Sequence, residues 1–138
     1  MSALEGELRG THVLVVDDDV DNREMLAMTL EHCGARVTTA CSAAEALRAL
    51  QKEPPQVLIS DIGLPDGDGY GLLRQVRALP ASRGGATPAI ALTGRGKKSE
   101  DGAPAGGEGF QVHLTKPVTP EQMLAAIARV LGSAVTRP

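Results

Sequence analysis

His12-Val13-Leu14-Val15-Val16-Asp17-Asp18-Asp19 is the stretch that decides the fold. Its apolar part is continuous rather than alternating, which marks a strand covered on both faces, as strands of a parallel sheet are. It stops abruptly at three carboxylates. Four further runs repeat the pattern: Ala35–Thr39, Gln56–Ser60, Pro88–Leu92 and Gly109–Leu114. Between most of them the period changes to that of helices. Leu26, Leu30 and Cys33 fall at i, i+4 and i+7, and Leu47 and Leu50 follow a Ser42–Glu45 capping box. Leu72, Leu73, Val76 and Leu79 mark a third helix. Thr119, Pro120 and Gln122 supply a cap, an N1 proline and a box for a last one, striped by Met123, Ile127, Val130 and Leu131. Alternating strands and helices with right-handed crossovers predict an α/β fold, a doubly wound five-stranded parallel sheet.

The 138 residues suit one such domain. The expected division is a tether over 1–10, the domain over 11–131 and a frayed tail over 132–138. Hydrophobic residues make up 42% and aromatic ones 1%, so the core must be built of Val, Ile, Leu, Ala and Met. A net charge of −3 gives no electrostatic reason to expect direct nucleic-acid binding. No run of 18 apolar residues and no signal segment is present, so a cytoplasmic protein without a membrane partner is expected. Cys33 and Cys41 sit in neither a CxxC nor a zinc spacing, and His12, His32 and His113 show no ligand spacing. Asp17, Asp19 and Asp21 begin like an EF-hand, but Asn22 and Met28 stand where a glycine and a glutamate are required.

In sheets of this kind, sites form beyond the carboxyl ends of the strands. Those ends are polar here. Strand one leads into Asp17-Asp18-Asp19, strand three into Asp61, strand four into Thr93, and strand five into Thr115-Lys116-Pro117. Should strands one and three be neighbours, several carboxylates converge, and clustered carboxylates require a cation. Oxygen ligands alone suit Mg2+ or Mn2+. A lysine and a hydroxyl opposite them complete a phosphoryl-binding constellation around an aspartate that can form an acyl phosphate. Taken singly, the acidic loop is a solvated turn or helix cap, Asp61 a turn residue, Thr93 a strand-end hydroxyl and Lys116 a surface cation. Their order at four separate strand ends carries the inference.

Val15-Val16-Asp17-Asp18, Ile59-Ser60-Asp61-Ile62-Gly63-Leu64-Pro65, Ala91-Leu92-Thr93-Gly94 and Leu114-Thr115-Lys116-Pro117 resemble the motifs of response-regulator receiver domains. The resemblance runs from about Thr11 to Leu131. It implies the flavodoxin-like strand order 2-1-3-4-5, which the periodicities alone do not supply. It implies Asp61 as phosphoacceptor, Asp18 as a direct metal ligand, Asp17 as a ligand mainly through water, and the Gly63 carbonyl as a further ligand. Thr93 and Lys116 would contact the phosphoryl group, Thr93 and His113 would form the switch, and Lys116–Pro117 would be cis. The implied cofactor is Mg2+ (or Mn2+). The implied partner is a histidine kinase or histidine phosphotransfer domain, with autocatalysed phosphorylation and dephosphorylation instead of substrate turnover. For His113, two readings stay open: a packing substitute for the family's aromatic, or a titrating group.

Two features depart from the family. Gly94 follows Thr93 where alanine is usual, and residues 95–108 are rich in glycine. A helix there would contain Gly102, Gly106 and Gly107 at roughly 1 kcal/mol each, plus Pro104 at about 3. The helix between strands four and five is therefore expected to be degraded, short or absent. Apolar side chains near Ile90 and Leu92 would then need another cover, for which a homodimer is one candidate. Two rivals stand beside this reading. A haloacid-dehalogenase-like phosphohydrolase also uses aspartyl phosphate, but this chain lacks the further acidic pair and the cap insert. A phosphorylation-independent interaction module has no use for the intact acid set. Leu8-Arg9-Gly10 and Asp21-Asn22-Arg23 resemble receivers of hybrid kinases, so a stand-alone regulator and a hybrid-kinase fragment both remain open.

Overall fold

The computed structural model describes residues 8–94 and 110–135. In chain order these form β1 (His12–Val16), α1 (Val20–His32), β2 (Arg36–Ala40), α2 (Ala43–Lys52) and β3 (Val57–Asp61). A two-stranded hairpin follows, β4 (Gly63–Leu64) and β5 (Gly67–Asp68), then α3 (Gly69–Arg77) and a 3-10 turn at Ala81–Arg83. β6 (Ala89–Thr93), β7 (Phe110–Thr115) and α4 (Pro120–Val135) complete the described chain. The five long strands are all parallel, in the order β2-β1-β3-β6-β7. That is the flavodoxin-like order 2-1-3-4-5, and it puts β1 and β3 side by side.

Every residue of β1, β3 and β6 is buried, which explains their unbroken apolar runs. One core lies between the sheet and α1 and α4, where Val13, Val15, Ile59, Ile90 and Leu92 meet Leu30, Met123 and Ile127. The other lies under α2 and α3, where Leu14, Val16, Leu58 and Ala91 meet Leu50, Leu72, Leu73 and Val76.

Several expectations need correction. β2, β3, β6 and β7 each start and end one residue later than their apolar runs. A run reports burial, but the ladder is made by the backbone: Asp61 still pairs with Leu92, and Thr93 with Thr115. The tether expected over 1–10 does not hold at its inner end. Leu8 is 5% exposed within the core, and its N–H donates to the Cys33 carbonyl at 2.7 Å. The tail expected from 132 is still helical to Val135. Leu79 lies beyond the end of α3. Side chains near Ile90 and Leu92 were expected to need cover from the loop, a partner or a second copy, yet these two point to the α1–α4 side and are 0% and 1% exposed. The expected degraded helix over 95–108 lies outside the described residues.

Candidate functional site

At the carboxyl rim of β1, the Asp17 N–H still donates to the Ala40 carbonyl, at 3.1 Å. Its side chain is fully buried. Oδ1 accepts the Asp19 N–H at 2.9 Å, while Oδ2 is buried without a hydrogen-bond partner. Asp18 is exposed. Asp19 caps α1 by accepting the Asn22 N–H at 3.1 Å, so one of the three consecutive acids does take the helix-cap role. Asp61 closes β3 and is 8% exposed. One oxygen each from Asp17, Asp18 and Asp61 lies within 4.8 Å of the others.

Lys116 enters from the far side of the sheet. Its N–H donates to the Thr93 carbonyl at 2.8 Å, which fixes the chain beyond β7 against the end of β6. Its Nζ donates to Asp61 Oδ2 at 3.1 Å and lies 3.5 Å from Asp17 Oδ2. Thr93 is buried, and its hydroxyl leans on the Leu114 carbonyl at 3.5 Å, a long and therefore weak tie. The Lys116–Pro117 bond is cis.

The charges are unevenly matched. Burial pushes the Asp17 carboxyl above its ordinary value, the Asp19 N–H and Lys116 pull it back, and Asp61 adds to the rise. Burial pulls Lys116 down, but the hydrogen bond and charge of Asp61, with help from Asp17, outweigh it, so the ammonium is kept. Three carboxylates gathered this closely share the Lys116 ammonium that faces them, and a clustered set of like charges favours a further cation. The donors are all oxygen, which fits a hard divalent cation such as Mg2+ or Mn2+. Gly63 follows at the start of the hairpin, paired with Asp68.

Three features escaped the sequence reading. Gly69, the first residue of α3, donates its N–H to the Ile62 carbonyl at 2.7 Å. A Cβ there would sit 2.7 Å from the Asp61 carbonyl oxygen, so the helix can start this close to the acceptor strand through glycine alone. Asp66 reaches from the hairpin turn to the first N–H groups of α2. His113 Nε2 lies 3.1 Å from the Tyr70 hydroxyl, and its ring meets Phe110 edge-on at 5.9 Å. The chain's single tyrosine and single phenylalanine thus gather on His113, whose pKa burial lowers. Spacing gave no hint of this, because the three residues come from two elements.

A cleft of about 370 Å³ adjoins the site, with Asp17 and Lys116 in its wall. Asn22, Met25 and Leu26 of α1 form one side, and Val118, Thr119 and Met123 the other. Val20, Met25 and Met28 of α1 are 49%, 66% and 69% exposed.

Comparison with known proteins bears on the family and the fold. A family model described as response regulator receiver domain matches residues 13–128. An uncharacterized 14.6 kDa protein of Leptolyngbya boryana is 45% identical over 83% of this chain and 86% of its own. A probable chemotaxis protein CheY of Rhizobium etli is 34% identical over 88% of this chain and 92% of its own. Among solved structures, a putative response regulator from Chloroflexus aurantiacus superposes with a TM-score of 0.79 at 34% identity, covering 88% of this chain and 98% of that one. Chemotaxis response regulator CheY4 of Vibrio cholerae gives 0.77 at 33%, covering 87% and 98%.

Proposed function

The chain belongs to the response regulator receiver domain family of two-component signal transduction, and from that premise we propose that Asp61 accepts a phosphoryl group from a phosphohistidine. The donor is a histidine kinase or a histidine phosphotransfer domain. The observation that carries this reading is Lys116 Nζ, 3.1 Å from Asp61 and 3.5 Å from Oδ2 of buried Asp17.

A carboxylate oxygen of Asp61 forms the new bond to phosphorus. The phosphorus–nitrogen bond to the donor imidazole breaks, and its electron pair stays on the ring. Lys116 faces the charge on the transferred oxygens, and the Thr93 hydroxyl, weakly held by Leu114, is free to turn toward them. Asp17, Asp18, Asp61 and the Gly63 carbonyl would hold Mg2+ (or Mn2+), which when bound neutralises charge on the phosphoryl oxygens. Water later hydrolyses the acyl phosphate at the same site, so the chain resets itself and turns over no separate substrate. Thr93 and His113 read the modified state; Tyr70 is the group that His113 must leave if its ring is to move.

The cleft beside Asp17 and Lys116 offers the donor's approach, with exposed Met25 of α1 in its wall. On this reading the domain works in the cytoplasm on a protein partner and engages neither nucleic acid nor membrane directly. No helix among the described residues is long and apolar enough to cross a membrane. The expectation of a homodimer assumed that side chains near Ile90 and Leu92 lack a cover within the chain; those two residues are buried against α1 and α4. The family assignment likewise replaces the phosphohydrolase alternative.

The test is to incubate the protein with Mg2+ and acetyl phosphate, or with beryllofluoride, and map the adduct. A single adduct on Asp61, absent in Asp61→Asn, is expected. Undiminished labelling of Asp61→Asn would overturn the assignment.

A further inference from the structure

β4 and β5 hold Gly63 through two paired positions, too few for a hairpin to stand unaided. Leu64 contributes by burying itself under α2 and α3 at 8% exposure. The turn itself is held from another element. Asp66 Oδ1 accepts the Ala43 N–H at 2.9 Å, and Oδ2 accepts the Ala44 N–H at 3.0 Å. These are the first two residues of α2.

Ser42 Oγ accepts the Glu45 N–H at 3.2 Å, and the Ala46 N–H already reaches the Ser42 carbonyl. Of the four N–H groups that the helix leaves open, those of Ala43, Ala44 and Glu45 thus have acceptors, two of them supplied by a residue more than twenty positions away in sequence. A helix of this length needs one cap, and Ser42 is that cap. The second, bidentate contact does something a cap does not. It ties the segment between Asp61 and α3 to the body of the domain, at a point three residues beyond Gly63.

We propose that Asp66 is a positioning residue for the phosphoryl site: by clamping the β3–α3 segment onto α2, it fixes where the Gly63 carbonyl stands beside Asp61. The inference rests on the reading above that Gly63 and the three acids hold a divalent cation. Asp66 itself touches neither cation nor phosphoryl group, and acts through the backbone it anchors.

The experiment compares full-length wild type, Asp66→Ala, Asp66→Asn and Ser42→Ala. Mg2+ is titrated while backbone amide shifts of residues 17–18 and 61–63 are followed by NMR, and stability is measured by urea unfolding. Asp66→Ala is expected to weaken Mg2+ binding roughly tenfold, the scale on which outer supports of a metal site act. Asp66→Asn, which keeps an acceptor oxygen, should recover part of that loss. Ser42→Ala should lose stability through α2 yet bind Mg2+ like wild type, because it caps the helix without touching the segment. Equal Mg2+ affinity in Asp66→Ala and wild type would overturn the proposal, as would equal weakening in Ser42→Ala, since the effect would then come from α2 stability. Should the alanine variant not fold, an unchanged affinity in Asp66→Asn overturns it. Wild type that binds no Mg2+ at these residues would sink the underlying metal reading instead, and is thereby told apart.

Discussion

A methyl group on Gly69 would stand 2.7 Å from the Asp61 carbonyl oxygen and 3.2 Å from Ile62 Cα, both backbone atoms that cannot swing aside. Gly69→Ala is therefore expected to cost about 1–3 kcal/mol, the usual range for overpacking, and to displace Asp61. Urea unfolding and beryllofluoride adduct formation check this; full stability with full adduct would show that the helix start can yield. His12 is a second residue whose setting dictates behaviour. It is 6% exposed, with Nε2 2.8 Å from the Thr38 hydroxyl. Burial first, and the Arg36 charge second, lower its pKa from 6.5. The unfolded chain thus takes up this proton at a higher pH than the folded one, so its contribution to stability is full above 6.5 and is lost as pH falls below that value. Burial shifts His113 in the same direction, while the raised Asp17 acts in the opposite sense. The informative quantity is therefore a difference between variants. Between about pH 7.5 and pH 5, the urea midpoint of wild type should fall more steeply than that of His12→Gln, which cannot titrate. Parallel curves would refute the role given to His12.

Elements were legible wherever a period or a cap wrote itself into consecutive residues. The Thr119–Gln122 box closes in both directions, at 3.0 and 2.9 Å. The Ser42–Glu45 box closes half as expected: Ser42 caps Glu45, but the Glu45 carboxylate turns to the Cys41 N–H at 2.8 Å. The acid–threonine–lysine set was legible because each member ends a separate strand, and parallel strands bring their carboxyl ends to one rim. The β4–β5 hairpin was not, since two-residue strands carry no period and its turn depends on Gly67 at φ 143°. Asp66 and the Tyr70–His113 pair were hidden for another reason: each depends on a side chain reaching a different element, and no local spacing records that. Helix α1 leads to a prediction of its own. Leu30 is buried, whereas Met25 and Met28 on the same helix are exposed, Met25 in the wall of the cleft. Replacing both methionines by glutamate should slow transfer from a phosphohistidine protein by about tenfold, equivalent to about 1.4 kcal/mol of docking energy. Labelling by acetyl phosphate, which needs no docking surface, should not change. Equal slowing with both donors would place the effect in the chemistry and not in recognition.

The described residues carry an imbalance at one rim: three carboxylates with oxygens within 4.8 Å of one another, answered among them by the ammonium of Lys116. Asp17 is fully buried, and its Oδ2 makes no hydrogen bond and faces Lys116 at 3.5 Å. Like charges held this close disfavour the folded arrangement by themselves. A cation that binds the folded arrangement and not the unfolded chain must repay that cost through mass action. At ten times its dissociation constant, Mg2+ should raise the stability by about 1.4 kcal/mol, or about 4–6 °C in the unfolding midpoint for a chain of this size. EDTA should reverse the gain. Asp61→Asn removes one of the three charges while keeping the shape, so it should unfold at a higher temperature than wild type without Mg2+ and respond less when Mg2+ is added. The two measurements bear on each other, since repulsion relieved by substitution is no longer there for the cation to relieve. Thermal unfolding of both proteins with and without Mg2+ checks it. A wild-type midpoint indifferent to Mg2+, together with an Asp61→Asn midpoint no higher than wild type, would mean that Lys116 alone balances the rim and that these acids hold no cation.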